Sequence, residues 1–456
     1  MNTAFITLLA FLVTVGVLVV IHELGHFAAA RLCNVKILRF SVGFGRALWT
    51  RRFGPDQTEW TIAAIPLGGY VKMLDEREVD VAPHERARAF NRQGVGKRIF
   101  IVSAGPIANF ALAILLFWAL FVVGIPGDKP VLGEPAKGSP AAVAGIVDGD
   151  TIVAIGEDPV ATWNDVNWRM LKEAVNRSRV QVEVVGANGV RGYRAMDLTG
   201  MTSEDVDGSL LQKLGLRPYV PRSPAVLGKV LPDRAGQKAG LQTGDRIEAI
   251  NDKPVKTWVE FTTLVRASAG KPLRLEIERD GRRLDVVVTP DTEGRGKTQI
   301  GMLGVAPPEA LYREIERTKT RVSYDPITAV GKAAYKVWDL SIFSLKLLGR
   351  MIVGEVSWKN LSGPITIADY AGQSAQAGWV TFVTFLAFVS VSLGVLNLLP
   401  IPLLDGGHLV YYFAEIVKGS PVSERTMEIG QRVGLALLLG LTFFAFYNDI
   451  NRLFTG

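Results

Sequence analysis

His22-Glu23-Leu24-Gly25-His26 is the stretch whose residue types and spacing most directly imply chemistry. On a helix, positions i and i+4 project about 40° apart, so both imidazoles can reach one tetrahedral Zn²⁺. Glu23 falls on the neighbouring face, where its carboxylate can take a proton from a water attacking a peptide carbonyl. Chance explains this H-E-x-x-H poorly, because the chain has four histidines and two of them make the motif. Nothing suitable for a third ligand follows on the same helix, and His84 sits in a charged loop. The better source is distant: Asn397-Leu-Leu-Pro400-Ile-Pro402-Leu-Leu-Asp405-Gly406-Gly407-His408. Asp405 is the expected third ligand, leaving a fourth position for water as catalytic zinc requires. His408 is the alternative, as a ligand or as a support for Asp405, and the two glycines argue against a regular helix there.

These residues must be positioned by apolar helices. Of the 456 residues, 48% are hydrophobic and 21% charged, which excludes a disordered chain or a small disulfide scaffold. Uncharged runs fill 4–21, 99–125 and 379–404, and each can cross a hydrocarbon core of ~30 Å. A shorter run, 433–447, makes a fourth span if Gln431 and Arg432 lie at the interface. A cleaved signal peptide is not expected, because residues 1–21 hold no Lys or Arg. Between Arg31 and Arg98 stand 13 Lys/Arg against 7 Asp/Glu, which puts this loop in the cytoplasm. Both termini and residues 127–378 then lie outside. The first and third spans both run inward, so the histidines and Asp405 come to the same side. Because the basic excess is concentrated in this loop, the net +7 is a topology signal rather than a nucleic-acid signature. The one cysteine, Cys33, excludes an internal disulfide and reads as inert filler.

A possible fifth span, 325–354, fails on charge. Asp325-Pro326 reads as a helix start. Lys332, Lys336, Asp339, Lys346 and Arg350 share an arc of roughly 80°, and Tyr335, Trp338, Phe343, Leu347 and Leu348 cover much of the rest. Such a helix lies at a membrane surface or against the bundle, or else is buried in a soluble domain.

The middle of the chain repeats itself. Val131-Leu132-Gly133, Ala144-Gly145, Gly149-Asp150, Ile152, Ile155, Pro159 and Trp163 recur 95 residues later, from Val226-Leu227-Gly228 to Trp258. Leu214-Gly215 and Leu303-Gly304 lie 89 apart, so the first copy is about six residues longer. Each copy reads as short strands, a Gly-Asp turn and a helix. The pattern resembles tandem PDZ domains. The resemblance implies that Leu132-Gly133 and Leu227-Gly228 border grooves where an extended peptide or C-terminal tail adds as a strand. A steric plug over the membrane site is the equal alternative.

H-E-x-x-H in the first span with N-x-x-P-x-P-x-x-D-G at the third resembles the site-2 protease family of intramembrane zinc metalloproteases. The tandem repeat and four spans extend the resemblance over essentially the whole chain. It implies that His22, His26 and Asp405 bind one Zn²⁺ and that Glu23 is the base. Asn397, in the segment with Pro400 and Pro402, would hold substrate backbone or oxyanion. Residues 60–65 and 70–73 flank Pro66-Leu67-Gly68-Gly69. Alone they read as a hairpin with a Gly-Gly turn, while the resemblance makes this a re-entrant β-hairpin that binds unwound substrate. Gly105-Pro106 with Asn109, and Ser362-Gly363-Pro364-Ile365, are also similar to the family, though helix breaking suffices to explain them.

The expected fold class is a multi-pass α-helical membrane protein with four transmembrane helices, two inserted PDZ-like α+β domains and a cytoplasmic re-entrant β-hairpin. The expected domains are 1–126, 127–220, 221–308, 309–375 (linker and amphipathic helix) and 376–456. By resemblance the protein sits in the bacterial inner membrane, with PDZ domains and termini periplasmic and the active site near the cytoplasmic face. Its substrates would be single-span proteins, such as an anti-sigma factor cut second in an envelope stress response, and remnant signal peptides. Two rival readings are a membrane-anchored zincin for soluble peptides and a non-catalytic PDZ scaffold.

Overall fold

The computed structural model describes residues 3–176, 178–202, 205, 209–293, 299–358 and 361–455. They form two compact units. One comprises Met1–Ile125, Thr202–Glu204 and Val322–Gly456, the other Pro126–Met201 and Asp205–Arg321.

The first unit is helical. It contains α1 (Thr3–Leu32), α2 (Val95–Val123), α3 (Pro326–Ile352), α4 (Pro364–Gln376), α5 (Trp379–Asn397), α6 (Asp405–Lys418) and α7 (Glu424–Thr455). Among the described residues, four helical stretches are long and apolar enough to cross a membrane: Ala4–Leu32, Val95–Val123, Trp379–Asn397 and Glu424–Asn451. Glycine sets their spacing. A Cβ on Gly25 would lie 2.8 Å from both the Ala104 carbonyl carbon and Ala108 Cβ, so only glycine lets α1 and α2 cross this closely. Gly394 of α5 meets the Phe110 ring of α2 in the same way.

α3 starts at its expected cap, where the Asp325 carboxylate accepts from the Ile327 and Thr328 N–H groups. It lies against the bundle. Ala329, Ala333, Val337, Leu340, Phe343 and Met351 are buried while Tyr335 and Trp338 are exposed, so an apolar stripe that grows bulkier along the helix is what packs. Two lysines of the charged arc lie over aromatic rings, Lys332 on Tyr324 and Lys336 on Phe388.

The loop after α1 carries strands β1 (Ile37–Phe53) and β2 (Thr58–Met73). They turn at Gly54 and Gln57, both with positive φ. The pairing corrects the simple hairpin with a Gly-Gly turn. Residues 60–65 and 70–73 each pair with β1: Arg39 to Val42 face Glu59 to Ile62 on one side and Gly69 to Lys72 on the other. β2 therefore folds back around β1, and Gly68 (φ +114°) lies in that return. Phe40 and Trp60 pack against each other at 4.6 Å and against Phe27, the residue after the second motif histidine, at 5.8 and 5.2 Å between ring centroids. This aromatic cluster pins the sheet to α1.

The second unit holds two modules with matching strand order. In the first, Asp158–Pro159, Thr151–Ile155, Arg179–Val185 and Arg191–Asp197 lie side by side. In the second the order is Lys253–Pro254, Arg246–Ile250, Leu273–Arg279 and Arg282–Val288. The repeated Gly-Asp has one job in both. Gly149 and Gly244 take positive φ, and the following carboxylate accepts the backbone N–H three residues back, Asp150 from Val147 and Asp245 from Gln242.

Candidate metal centre

α1 continues unbroken past the motif to Leu32, so His22 and His26 stack on one helical face. α5 ends at Asn397, and the loop 398–404 returns the chain so that α6 begins on Asp405. Contrary to the sequence expectation, Gly406 and Gly407 do not interrupt a helix; they open one. A Cβ on Gly406 would press on the Leu398 carbonyl, and one on Gly407 would lie 2.7 Å from the Ile401 carbonyl carbon. The two glycines are what permit so tight a return. Leu403 carries φ +95°, a conformation that costs a non-glycine residue ~1–3 kcal/mol and is held only by its surroundings. Those surroundings include α7, where Gly434 closes on Pro402 and Gly430 on the Tyr411 ring. Arg98, at the start of α2, pairs with Glu415 at 2.6 Å and lies over the Tyr412 ring, fixing α6.

The result is a cluster of three donor atoms. His22 Nε2 and His26 Nε2 stand 3.2 Å apart, and Asp405 Oδ2 is 3.1 Å from the first and 3.5 Å from the second. Tetrahedral ligands at ~2.0–2.1 Å from Zn²⁺ would be separated by about 3.3 Å. Asp405 Oδ2 is buried without a hydrogen-bond partner, which a bound cation would supply. The donor set therefore fits zinc in both chemistry and spacing. His408 lies outside the cluster, and burial holds its imidazole below the ordinary value, hence neutral. His84 is not in the cluster either. Cys33 packs beside the apolar group of Ala29, Ala30, Val35, Ile37 and Ile101.

The second helix completes the centre. His26 Nδ1 donates to the Ile101 carbonyl at 2.9 Å, which leaves Nε2 free as a donor to metal. The Asn109 amide lies 3.1 Å from His22 Nδ1 and the Asn397 amide 3.5 Å from it. Ser390 Oγ donates to the Asn109 carbonyl, joining α5 to α2. Gly105 faces both histidines; an added Cβ would lie 2.7 Å from His26 Cε1 and 2.8 Å from His22 Cε1. In the sequence Gly105, Asn109 and Gly363 are similar to the family, and helix breaking suffices as their physical explanation. Their contacts depend on helix crossings that no local pattern encodes.

The structure brings some of the other site residues together and separates others. Gly69 meets Glu23, since a Cβ there would lie 3.2 Å from Glu23 Cγ. Gly68 lies against the Phe44 ring. Pro400 and Pro402 lie in the 398–404 return. In the second unit Leu132 and Leu227 are buried, and the N–H groups of Gly133 and Gly228 are bonded to the Arg217 and Ala306 carbonyls. Gly133 also borders a cleft of about 760 Å³ lined by Trp163, Asn164, Asn167, Pro218 and Val220.

With this geometry, residues 10–441 match the model of peptidase family M50, and the chain belongs to that family, the site-2 type of intramembrane metalloproteases. Its relatives extend over nearly the whole length. The regulator of sigma-E protease RseP of Salmonella typhimurium is 43% identical over 449 residues, covering 98% of both chains. RseP of Escherichia coli K12 is 43% identical over 448 residues, again 98% of each. A putative zinc metalloprotease of Ralstonia nicotianae is 44% identical over 467 residues, covering 98% of this chain and 99% of that one.

Proposed function

We propose that this chain hydrolyses peptide bonds in or near the transmembrane segments of single-span proteins, with His22, His26 and Asp405 holding one zinc ion and Glu23 as general base. The observation that carries the reading is the convergence of the three donor atoms beside Glu23, two of them on a helix long and apolar enough to cross a membrane. Zinc bound there would supply a Lewis acid for the scissile carbonyl and lower the pKa of its water to ~7. Glu23 takes the proton of the attacking water and passes it to the leaving amine. A transmembrane helix must first unwind, and each unpaired backbone group in lipid costs several kcal/mol. The 69–73 limb of β2 lies at the margin of its sheet and touches Glu23, so a substrate strand laid along it recovers those hydrogen bonds beside the base. This supports the re-entrant role of the sheet and of Gly68 and Gly69, and Asn397 is near enough to steady the same strand.

The two repeat modules act as PDZ domains on the outer side, and the cleft beside Gly133 takes an extended peptide end or excludes bulky substrates. The basic loop 31–98 faces the cytoplasm of a bacterial inner membrane. Because relatives are named regulators of sigma-E protease, the substrate class extends to a membrane-bound anti-sigma factor, and by resemblance to remnant signal peptides.

The test is a Glu23→Gln protein carrying a photo-crosslinker, recovered from membranes and analysed by mass spectrometry. It should retain zinc, lose about 10²–10⁴-fold in cleavage rate and trap single-span proteins. Normal cleavage by Glu23→Gln would refute the base assignment, and trapping of soluble peptides alone would favour a membrane-anchored zincin.

A further inference from the structure

Asn109 lies in the middle of α2 and is completely buried, yet its side-chain oxygen has no hydrogen-bond partner. A buried amide oxygen left unpaired has lost its water without a replacement, and such atoms in a native fold need a reason. The other end of the amide is 3.1 Å from His22 Nδ1. On the far side of the same imidazole stands the second orphan, Asp405 Oδ2, 3.1 Å from His22 Nε2. One change pairs the first and leaves the second, with both Nε2 lone pairs, to a bound cation. Turning the Asn109 amide by 180°, which exchanges its oxygen and nitrogen without moving the side chain's volume, sets its oxygen against His22 Nδ1. That nitrogen then carries the proton and donates it, and the Nε2 lone pair faces His26 Nε2 and Asp405 Oδ2. His26 already has this tautomer, because the Ile101 carbonyl at its Nδ1 can only accept.

We propose that Asn109 is the positioning residue that fixes the tautomer and ring orientation of His22 for metal binding, its side-chain oxygen accepting the His22 Nδ1 proton. The inference rests on the metal-site reading above. It separates two asparagines that approach the same nitrogen. Asn397, at 3.5 Å, is beyond good hydrogen-bond range and stays available to substrate. Asn109 is also anchored from behind, since its carbonyl accepts from Ser390 Oγ at 2.8 Å. The α2–α5 contact is thereby tied to the orientation of a ligand on α1.

The experiment measures zinc affinity of the purified full chain in detergent by competition with a chromophoric chelator. The proteins are wild type, His22→Ala, Asn109→Leu and Asn109→Asp. Leucine keeps the volume without the acceptor, whereas aspartate restores an acceptor. Loss of a hydrogen-bond partner to a ligating histidine weakens binding ~10–100-fold, so Asn109→Leu should weaken in that range and Asn109→Asp should stay within about threefold of wild type. Equal affinity in Asn109→Leu and wild type, or equal weakening in both Asn109 variants, would overturn the proposal. If His22→Ala binds zinc like wild type, the metal-site reading itself fails, which is a separate result. A second readout needs no Asn109 variant. The imidazole ¹⁵N spectrum of the zinc-loaded protein contains four histidines, and His22 is assigned from its loss in His22→Ala. A protonated Nδ1 is expected for His22; a protonated Nε2 or a ligated Nδ1 would refute the assignment even if Asn109→Leu does not fold.

Discussion

Gly105→Ala adds a single carbon at the centre of the site and isolates geometry from chemistry. The new Cβ would stand 2.7 Å from His26 Cε1 and 2.8 Å from His22 Cε1, where ordinary contacts begin at 3.4 Å. The His22 ring must therefore retreat by about 0.6 Å and the His26 ring by more than 0.7 Å, since its Nε2 lies nearer still, against the ~0.2 Å within which metal–ligand distances hold. Both ligands move together, so zinc affinity should fall at least about 100-fold. Stability should change little. Alanine is the better helix former by ~1 kcal/mol, which offsets much of an overpacking cost of ~1–3 kcal/mol. The assay pairs chelator competition and cleavage of a single-span reporter with the thermal midpoint of the same preparation. Gly16→Ala and Gly96→Ala are the controls, because a Cβ at either position meets nothing within 4 Å. Zinc affinity of Gly105→Ala within threefold of wild type, at an unchanged midpoint, would refute the reasoning.

Asp405→Ala should lose zinc in metal analysis while His408→Ala keeps it; the reverse result would transfer the third ligand to His408. Asp449→Ala should destabilise the helical unit by about 2 kcal/mol, read as a faster thermal inactivation rate. The Asp449 carboxylate accepts from the N–H groups of Gly363, Ile365 and Thr366 and from the Thr366 hydroxyl, capping α4 from α7. An inactivation rate equal to wild type would remove this cap as a stabilising contact.

Legibility followed the range of the physical signal. Histidines at i and i+4 declare a shared face because helix geometry is local, and the internal repeat declares itself because one register persists across many positions. Asp405 was legible only through a motif combined with a topology argument. The sheet was not. Residues 39–42 pair on both sides, and nothing in their alternation distinguishes a central stretch from an edge, so the Gly-Gly was taken for the turn of a simple hairpin. Asn109 and Gly105 were opaque for another reason. Each acts across the α1–α2 crossing, whose closeness is set by Gly25 facing Ala104 and Ala108. A glycine in an apolar helix looks the same whether it breaks the helix, admits a neighbour or clears room for an imidazole.

α7 supports the site from two places. Its Asp449 caps α4, and its Gly430 and Gly434 close on Tyr411 and Pro402, bracing the loop that holds Leu403 at φ +95°. This has a consequence for biogenesis. During synthesis the two histidines emerge first and the Asp405 loop follows, and the strained turn at Leu403 gains the packing of Gly430 and Gly434 only once α7 has joined it. A chain truncated before α7 should therefore keep His22, Glu23, His26 and Asp405 and yet hold zinc more weakly than the full chain, read by chelator competition.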